Sequence, residues 1–365
     1  MRYVDEFRNR DDAIHLRDAI AAKVACLDHP VTLMEVCGTH TVAIFKWGVR
    51  NLLPDTVRLI SGPGCPVCVT PNGEIDLAIE LARRPDVILC TFGDMMRVPG
   101  SRSSLERERG AGGDIRILYS PIESLAIAKA HPDKEVVFFG VGFETTSPTV
   151  AATVLASEAE ETPNFSIVSA HKVIPPALRA LCSADDVNVS GFILPGHVSV
   201  ILGTDPYRML ATEFHTPAVV SGFEPTDILS AVLMLVTQLV EGRTEIENAY
   251  GRVVTAGGNP VARKALADTF ITADVDWRGF GMIPGSGYAL RPQLTHRDAI
   301  QKLGITCEPP IEPKGCICGQ VVRGAADPPD CPLFGKGCTP EHPIGACMVS
   351  TEGACAAHYK YGTAG

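Results

Sequence analysis

Two groups of cysteines carry the chemistry this 365-residue sequence offers. In the amino-terminal half, Cys37-Gly38-Thr39-His40 is followed by Cys65-Pro66-Val67-Cys68 inside the glycine- and proline-rich run Ser61 to Pro71. A cysteine at a helix start with a histidine three residues on is expected to have a depressed pKa, and the thiolate is the form that attacks electrophiles or ligates metals. The Cys-x-x-Cys spacing suits a reversible disulfide or two ligands to one metal. The last fifty residues hold six more cysteines, Cys316, Cys318, Cys331, Cys338, Cys347 and Cys355, in a stretch rich in Gly and Pro. Such a segment cannot fold on apolar burial, so something must staple it. Thiolates without a clean histidine partner suit tetrahedral zinc or an iron–sulfur cluster, and the lack of a Cys-x₂₋₄-Cys knuckle favours a four-iron cluster.

Other polar residues stand in comparable loops: Glu144 in Gly142-Phe143-Glu144-Thr145-Thr146, His171, His197 in Pro195-Gly196-His197-Val198-Ser199, and Glu224. Each alone reads as a capping or hydrogen-bonding residue, and only their shared setting suggests more. Met95 and Met96 read as core filler, and Cys26, Cys90, Cys182 and Cys307 as inert buried thiols. No Walker-type or dinucleotide-binding glycine motif occurs in its required setting, and the glycine-rich run Gly281 to Gly287 lacks that context.

The elements that must position these residues repeat one unit from Val31 to about Gly242: a β-branched run, a loop, then an amphipathic stretch. Strands are expected at 31–36, 57–60, 87–92, 115–119, 136–139, 166–169, 191–194 and 218–220. Helices are expected at 41–53, 73–83, 122–130, 149–160, 175–181 and 226–241. The rhythm predicts parallel strands with crossover helices, an α/β fold of two Rossmann-like domains plus a small cysteine-rich domain. The polar seam His131-Pro132-Asp133-Lys134 divides them as 31–130 and 131–242, with 1–30 and 243–365 forming the third. The repeat Gly142-Phe143-Glu144-Thr145 and Gly222-Phe223-Glu224-Pro225 hints at duplication. Loops leaving the carboxyl ends of such strands share a crevice, so Cys37, His40, Cys65 and Cys68 are expected to meet there, with Cys37 within ~15 Å of the pair.

A formal net charge of −10 argues against nucleic acid as a partner. No apolar run reaches the ~20 residues that span a bilayer, and Met1 to Glu6 is unlike a signal sequence. The chain is therefore expected in the cytoplasm, where clustered thiols more often bind metal or do redox chemistry than form structural disulfides.

The motifs around Cys37, Gly62 to Cys68, Pro195 to Ser199, Cys331-Pro332-Leu333-Phe334 and Gly345 to Ser350 resemble those of the HypD family of iron–sulfur maturation factors for [NiFe] hydrogenases, over essentially the whole chain. The resemblance implies a scaffold on which an Fe(CN)₂CO unit is assembled together with HypC. Cyanide would come from HypE as a thiocyanate, and the unit would go to the hydrogenase large subunit. It implies Cys37 as an iron ligand, Cys65 and Cys68 as a redox pair, and His40 as a proton relay. It further implies a tail like that of ferredoxin:thioredoxin reductase, with Cys316, Cys331, Cys338 and Cys355 holding a [4Fe-4S] cluster and Cys318 with Cys347 as a second redox pair. Exchanging Cys316 with Cys318, or Cys347 with Cys355, gives equally suitable spacings. The competing readings are a free-standing iron–sulfur thiol-disulfide oxidoreductase and a zinc-stapled binding module.

Overall fold

The computed structural model describes residues 5–362. One parallel sheet contains β1 (Val31–Glu35), β2 (Val57–Ser61), β7 (Gly191–Pro195), β8 (Ala218–Ser221) and β9 (Ile246–Asn248), in the order β2-β1-β7-β8-β9. A second contains β3 (Val87–Thr91), β4 (Ile115–Ile117), β5 (Glu135–Gly142) and β6 (Phe165–His171), in the order β4-β3-β5-β6. Every ladder in both sheets is parallel. Strands such as β3 and β7 are buried along their whole length, because crossover helices cover both faces. The fold is α/β with two Rossmann-like sheets, and the eight expected strands all form.

Counted within each sheet, the strand order begins 2-1-3-4 in both cases. In such doubly wound sheets ligands bind where the order reverses, beyond the carboxyl ends of the first and third strands. For the first sheet those are β1, which leads into Cys37, and β7, which leads into His197.

Strand pairing corrects the sequential division into 31–130 and 131–242. The whole second sheet is inserted between β2 and β7, and Leu33 of β1 pairs with Gly191 of β7. Apolar periodicity says that a strand forms but not which neighbour it takes, and the seam at His131 falls between two strands of the same sheet. The repeated Gly-Phe-Glu tetrapeptides follow the third strand of one sheet and the fourth of the other, so they are not equivalent positions.

The expected third domain is also redistributed. Helix Arg10–Val24 lies on helix Pro225–Glu241 and joins the core of the first sheet through Ile20 and Val24. Helix Pro260–Thr269 packs on helix Ser147–Ala159, and the Gly281 to Gly287 run belongs to a strand. It lies within β11 (Gly281–Leu290), which pairs antiparallel with β10 (Phe270–Trp277). The tail proper caps the thiol loops: helix Ala354–Tyr361 lies on helix Gly38–Lys46, while Cys318–Val322 and Ala346–Val349 lie on the short helix Pro66–Val69. The amino-terminal residues 1–4 and the last residues 363–365 fall outside the described residues. Among the described residues no helix is long and apolar enough to cross a membrane.

Candidate functional site

β1 ends in Glu35 and delivers Cys37 as the N-cap of helix Gly38–Lys46, in extended backbone with φ −155°. The loop after β2 is pressed against it. A Cβ on Gly64 would lie 2.0 Å from the Cys37 nitrogen and 2.3 Å from its Cα, and the Gly38 N–H donates to the Gly64 carbonyl at 2.8 Å. With consecutive Cα atoms about 3.8 Å apart, Cys37 and Cys65 have their Cα atoms within about 8 Å of each other. Cys65 and Cys68 are disulfide-bonded, with Cα atoms 5.2 Å apart, inside the range such bonds require. Cys65 also caps helix Pro66–Val69, its sulfur accepting from the Cys68 N–H at 3.2 Å. The two loops therefore meet in one crevice.

The histidine nearest the Cys37 sulfur is His197, not His40. Its Nδ1 and Nε2 lie 3.7 and 4.0 Å from the Cys37 Sγ. His40 points away, donating from Nε2 to the Gly222 carbonyl at 2.8 Å, which leaves its buried Nδ1 without a partner. The Phe223 ring lies between the two imidazoles, 4.8 Å from His40 and 5.2 Å from His197. Burial lowers both to a pKa of about 4, so each is neutral at physiological pH.

The expected depression of the Cys37 pKa is corrected. The residue is 2% exposed, and burial pushes its thiol well above the ordinary value, outweighing the hydrogen bond from the His40 backbone. A thiolate here requires a cation in place of the proton, which is the condition a metal supplies. The reason sequence failed is that a helix start shows where a dipole points but not how completely the site is closed to water.

Glu35 escaped notice. It is buried, accepts from the Cys37 N–H at 3.0 Å and from the Thr41 hydroxyl, and burial raises its pKa to about 7. Its signal was a lone carboxylate ending an apolar strand. Glu144 is likewise buried, with one oxygen accepting from the Ile174 N–H at 2.9 Å and the other unpartnered, and its pKa is raised to about 7 by burial. Glu224 instead caps helix Pro225–Glu241 and pairs with Arg8. His171 is buried beside Gly140, its Nδ1 3.0 Å from the Ser169 hydroxyl. Met95 and Met96 are core residues, whereas Cys26 is exposed rather than buried.

In the tail, Cys318, Cys331, Cys338, Cys347 and Cys355 are buried and Cys316 half-buried. The Cys318 thiol hydrogen-bonds with those of Cys316 and Cys347, and Cys347 donates to Cys355 at 3.0 Å. Cys338 accepts from the Ile344 N–H at 3.3 Å, and Cys331 reaches only the Gly315 carbonyl at 3.8 Å. Gly345 is required here, because a Cβ would lie 2.7 Å from the Cys316 sulfur. Among the described residues no three ligating side chains already surround a single metal ion. A cluster spaces its cysteines more widely than one ion does. Cys316, Cys318, Cys347 and Cys355 are linked thiol to thiol, while Cys331 and Cys338 meet backbone groups, so the thiols suit a cluster in chemical type.

The fold and site together define a class: a two-sheet α/β thiol protein with a buried cysteine at a topological switch point and a cysteine-rich cap above it. The sequence profile of the HypD family, described as the hydrogenase formation hypA family, matches residues 12–362. The chain is 48% identical to the hydrogenase maturation factor HypD of Azotobacter vinelandii, covering 99% of this chain and 97% of that protein. It is 45% identical to the hydrogenase maturation factor HypD of Escherichia coli, covering 99% and 98%. The chain belongs to the HypD family of hydrogenase maturation factors.

Proposed function

We propose that this protein is a cytoplasmic scaffold on which the Fe(CN)₂CO unit of [NiFe] hydrogenase is built, in complex with HypC and with cyanide delivered by HypE, before transfer to the hydrogenase large subunit. The iron is cargo held by the Cys37 thiolate. The neutral His197 imidazole beside it can accept the proton that leaves the thiol as iron binds, and His40 holds Phe223 and Gly222 in place behind it.

Cyanide release consumes two electrons. A thiocyanate R–S–C≡N and the Cys65/Cys68 dithiol give R–SH, hydrogen cyanide and the Cys65–Cys68 disulfide, each dithiol proton going to one product and the carbon–sulfur bond breaking. Recharging the pair needs a second dithiol, Cys318 with Cys347, whose helices lie against helix Pro66–Val69. Cys316, Cys331, Cys338 and Cys355 would hold a [4Fe-4S] cluster, which supplies single electrons to that second pair when bound.

The observation that carries this reading is the seating of the Cys65–Cys68 helix between the Cys37 loop and the two tail helices that bear Cys318 and Cys347. The burial of Cys65 and Cys68 counts against a free-standing oxidoreductase, because a folded substrate's disulfide cannot reach them. The test is iron and acid-labile sulfide analysis of anaerobically purified protein beside a Cys331→Ala, Cys338→Ala double variant, with pull-down of HypC. About four irons and four sulfides, lost in the variant, with a one-to-one HypC complex and no hydrogenase maturation in Cys37→Ala, are expected. Zinc without sulfide would overturn the electron supply.

A further inference from the structure

Arg278 occupies the tip of the β10–β11 hairpin and is 6% exposed. Its backbone N–H donates to the Val69 carbonyl at 2.8 Å. Its guanidinium donates to the Cys68 carbonyl at 3.1 Å, to the Thr70 carbonyl at 2.7 Å and to the Asn72 side-chain oxygen at 2.9 Å. One buried residue thus gathers the carbonyls that end helix Pro66–Val69. The remaining guanidinium nitrogen pairs at 3.0 Å with Glu312, whose side chain is 61% exposed. The next residue, Gly279, has φ +84° and fits so closely on Gly319, beside Cys318, that a Cβ would lie 2.3 Å from the Gly319 carbonyl oxygen. The hairpin tip is therefore wedged between the two thiol stations.

We propose that Arg278 is the positioning residue of the thiol relay: it fixes the Cys65–Cys68 helix against the tail and keeps a buried positive charge beside that pair, making its disulfide easier to reduce. The role rests on the relay proposed above. Reduction of Cys65–Cys68 takes up two electrons and two protons, or leaves negative charge on sulfur when a proton is withheld. A cation that water does not screen favours the reduced form. The three carbonyl and amide oxygens that the guanidinium meets orient the charge without cancelling it, and the exposed Glu312 offsets it only in part.

The test is equilibration of the anaerobic full-length protein in glutathione redox buffers, with the Cys65–Cys68 peptide read by thiol labelling and mass spectrometry. Arg278→Gln is expected to move the equilibrium at least tenfold towards the disulfide, about 30 mV for this two-electron couple. Arg278→Lys, which keeps the charge, is expected to stay within threefold of wild type, and Glu312→Gln to move two- to threefold towards the dithiol. Lysine shifting as far as glutamine would overturn the charge role, as would an unmoved equilibrium in Arg278→Gln. If Arg278→Gln does not fold, Glu312→Gln decides, and an unmoved equilibrium there refutes the proposal. The equilibrium position is a property of the Cys65–Cys68 pair whatever route the electrons take, so this outcome is separate from the relay itself, which fails if Cys318→Ser leaves reduction of Cys65–Cys68 by dithionite-treated protein unchanged.

Discussion

Replacing Gly64 by alanine adds one methyl group at the contact that joins the two thiol loops. The new carbon would lie 2.0, 2.3 and 2.4 Å from the Cys37 nitrogen, the Cys37 Cα and the Val36 carbonyl carbon, all backbone atoms that cannot rotate aside. Relief requires the loops to separate by roughly 1 Å, since ordinary carbon contacts are about 3.5 Å. That separation breaks the Gly38–Gly64 hydrogen bond, a loss of about 1 kcal/mol, and overpacking adds about 1–3 kcal/mol. The sum, about 3 kcal/mol, corresponds to a fall in melting temperature of about 4 °C for a protein of this size. Gly251→Ala is the control, because nothing lies within 4 Å of the added carbon. Scanning calorimetry of the two variants beside wild type reads the effect, and alkylation of Cys37 in the same samples reads the opened crevice. Gly64→Ala melting within a degree of Gly251→Ala, with Cys37 equally slow to react, would refute the description of the site as two backbones in contact.

Glu35→Gln tests the buried carboxyl. Its folded pKa is raised from 4.5 to about 7 by burial, so the folded protein keeps a proton the unfolded chain has lost, and the resulting penalty grows as pH rises through that window. The variant should match wild type near pH 4.5 and exceed it at pH 8 by up to about 3 kcal/mol in urea titrations; parallel pH profiles would count against the assignment. Arg297 is buried and donates to the Phe165 carbonyl at 3.0 Å, the Ser157 carbonyl at 3.2 Å and the Thr162 carbonyl while pairing with Glu158. Arg297→Ala should lower stability by on the order of 3 kcal/mol, and a urea midpoint unchanged from wild type would be incompatible with that network. Iodoacetamide on the native protein should label exposed Cys26 first and leave buried Cys37 and Cys90 unmodified until unfolding, as peptide mass spectrometry will show. Early labelling of Cys37 would contradict its closure from water.

Much of the fold was legible because β-branched runs such as Val87–Thr91 and Val136–Phe139 have no competing helical period. Strand partnership was not, since the β1 to β7 ladder spans the whole inserted sheet and leaves no local trace. The hairpin strand β11 was hidden by Gly281, Gly285, Gly287 and Pro284, which suppress strand propensity yet permit the close approach of Gly287 to Val275 and His171. At the site, cysteine spacing found both amino-terminal thiol loops, while the nearest histidine was misjudged because proximity in sequence favoured His40. His197 sits next to Cys37 only because β7 is the neighbour of β1. Arg278 gave no signal at all, its value lying in carbonyl oxygens that sequence does not display.

The insertion of one sheet inside another also fixes an order of assembly. The four strands between residues 87 and 171 form ladders only with one another and can close as soon as they have left the ribosome, whereas the free edge of β1, already paired with β2, must wait for β7. Such long-range closures are slow relative to the local ones. A nascent or truncated chain therefore displays Cys37 without His197, and the Cys37–His197 contact comes into being only in a chain whose synthesis has passed β7. On the function proposed above, the topology would keep unfinished copies of the protein from holding cargo.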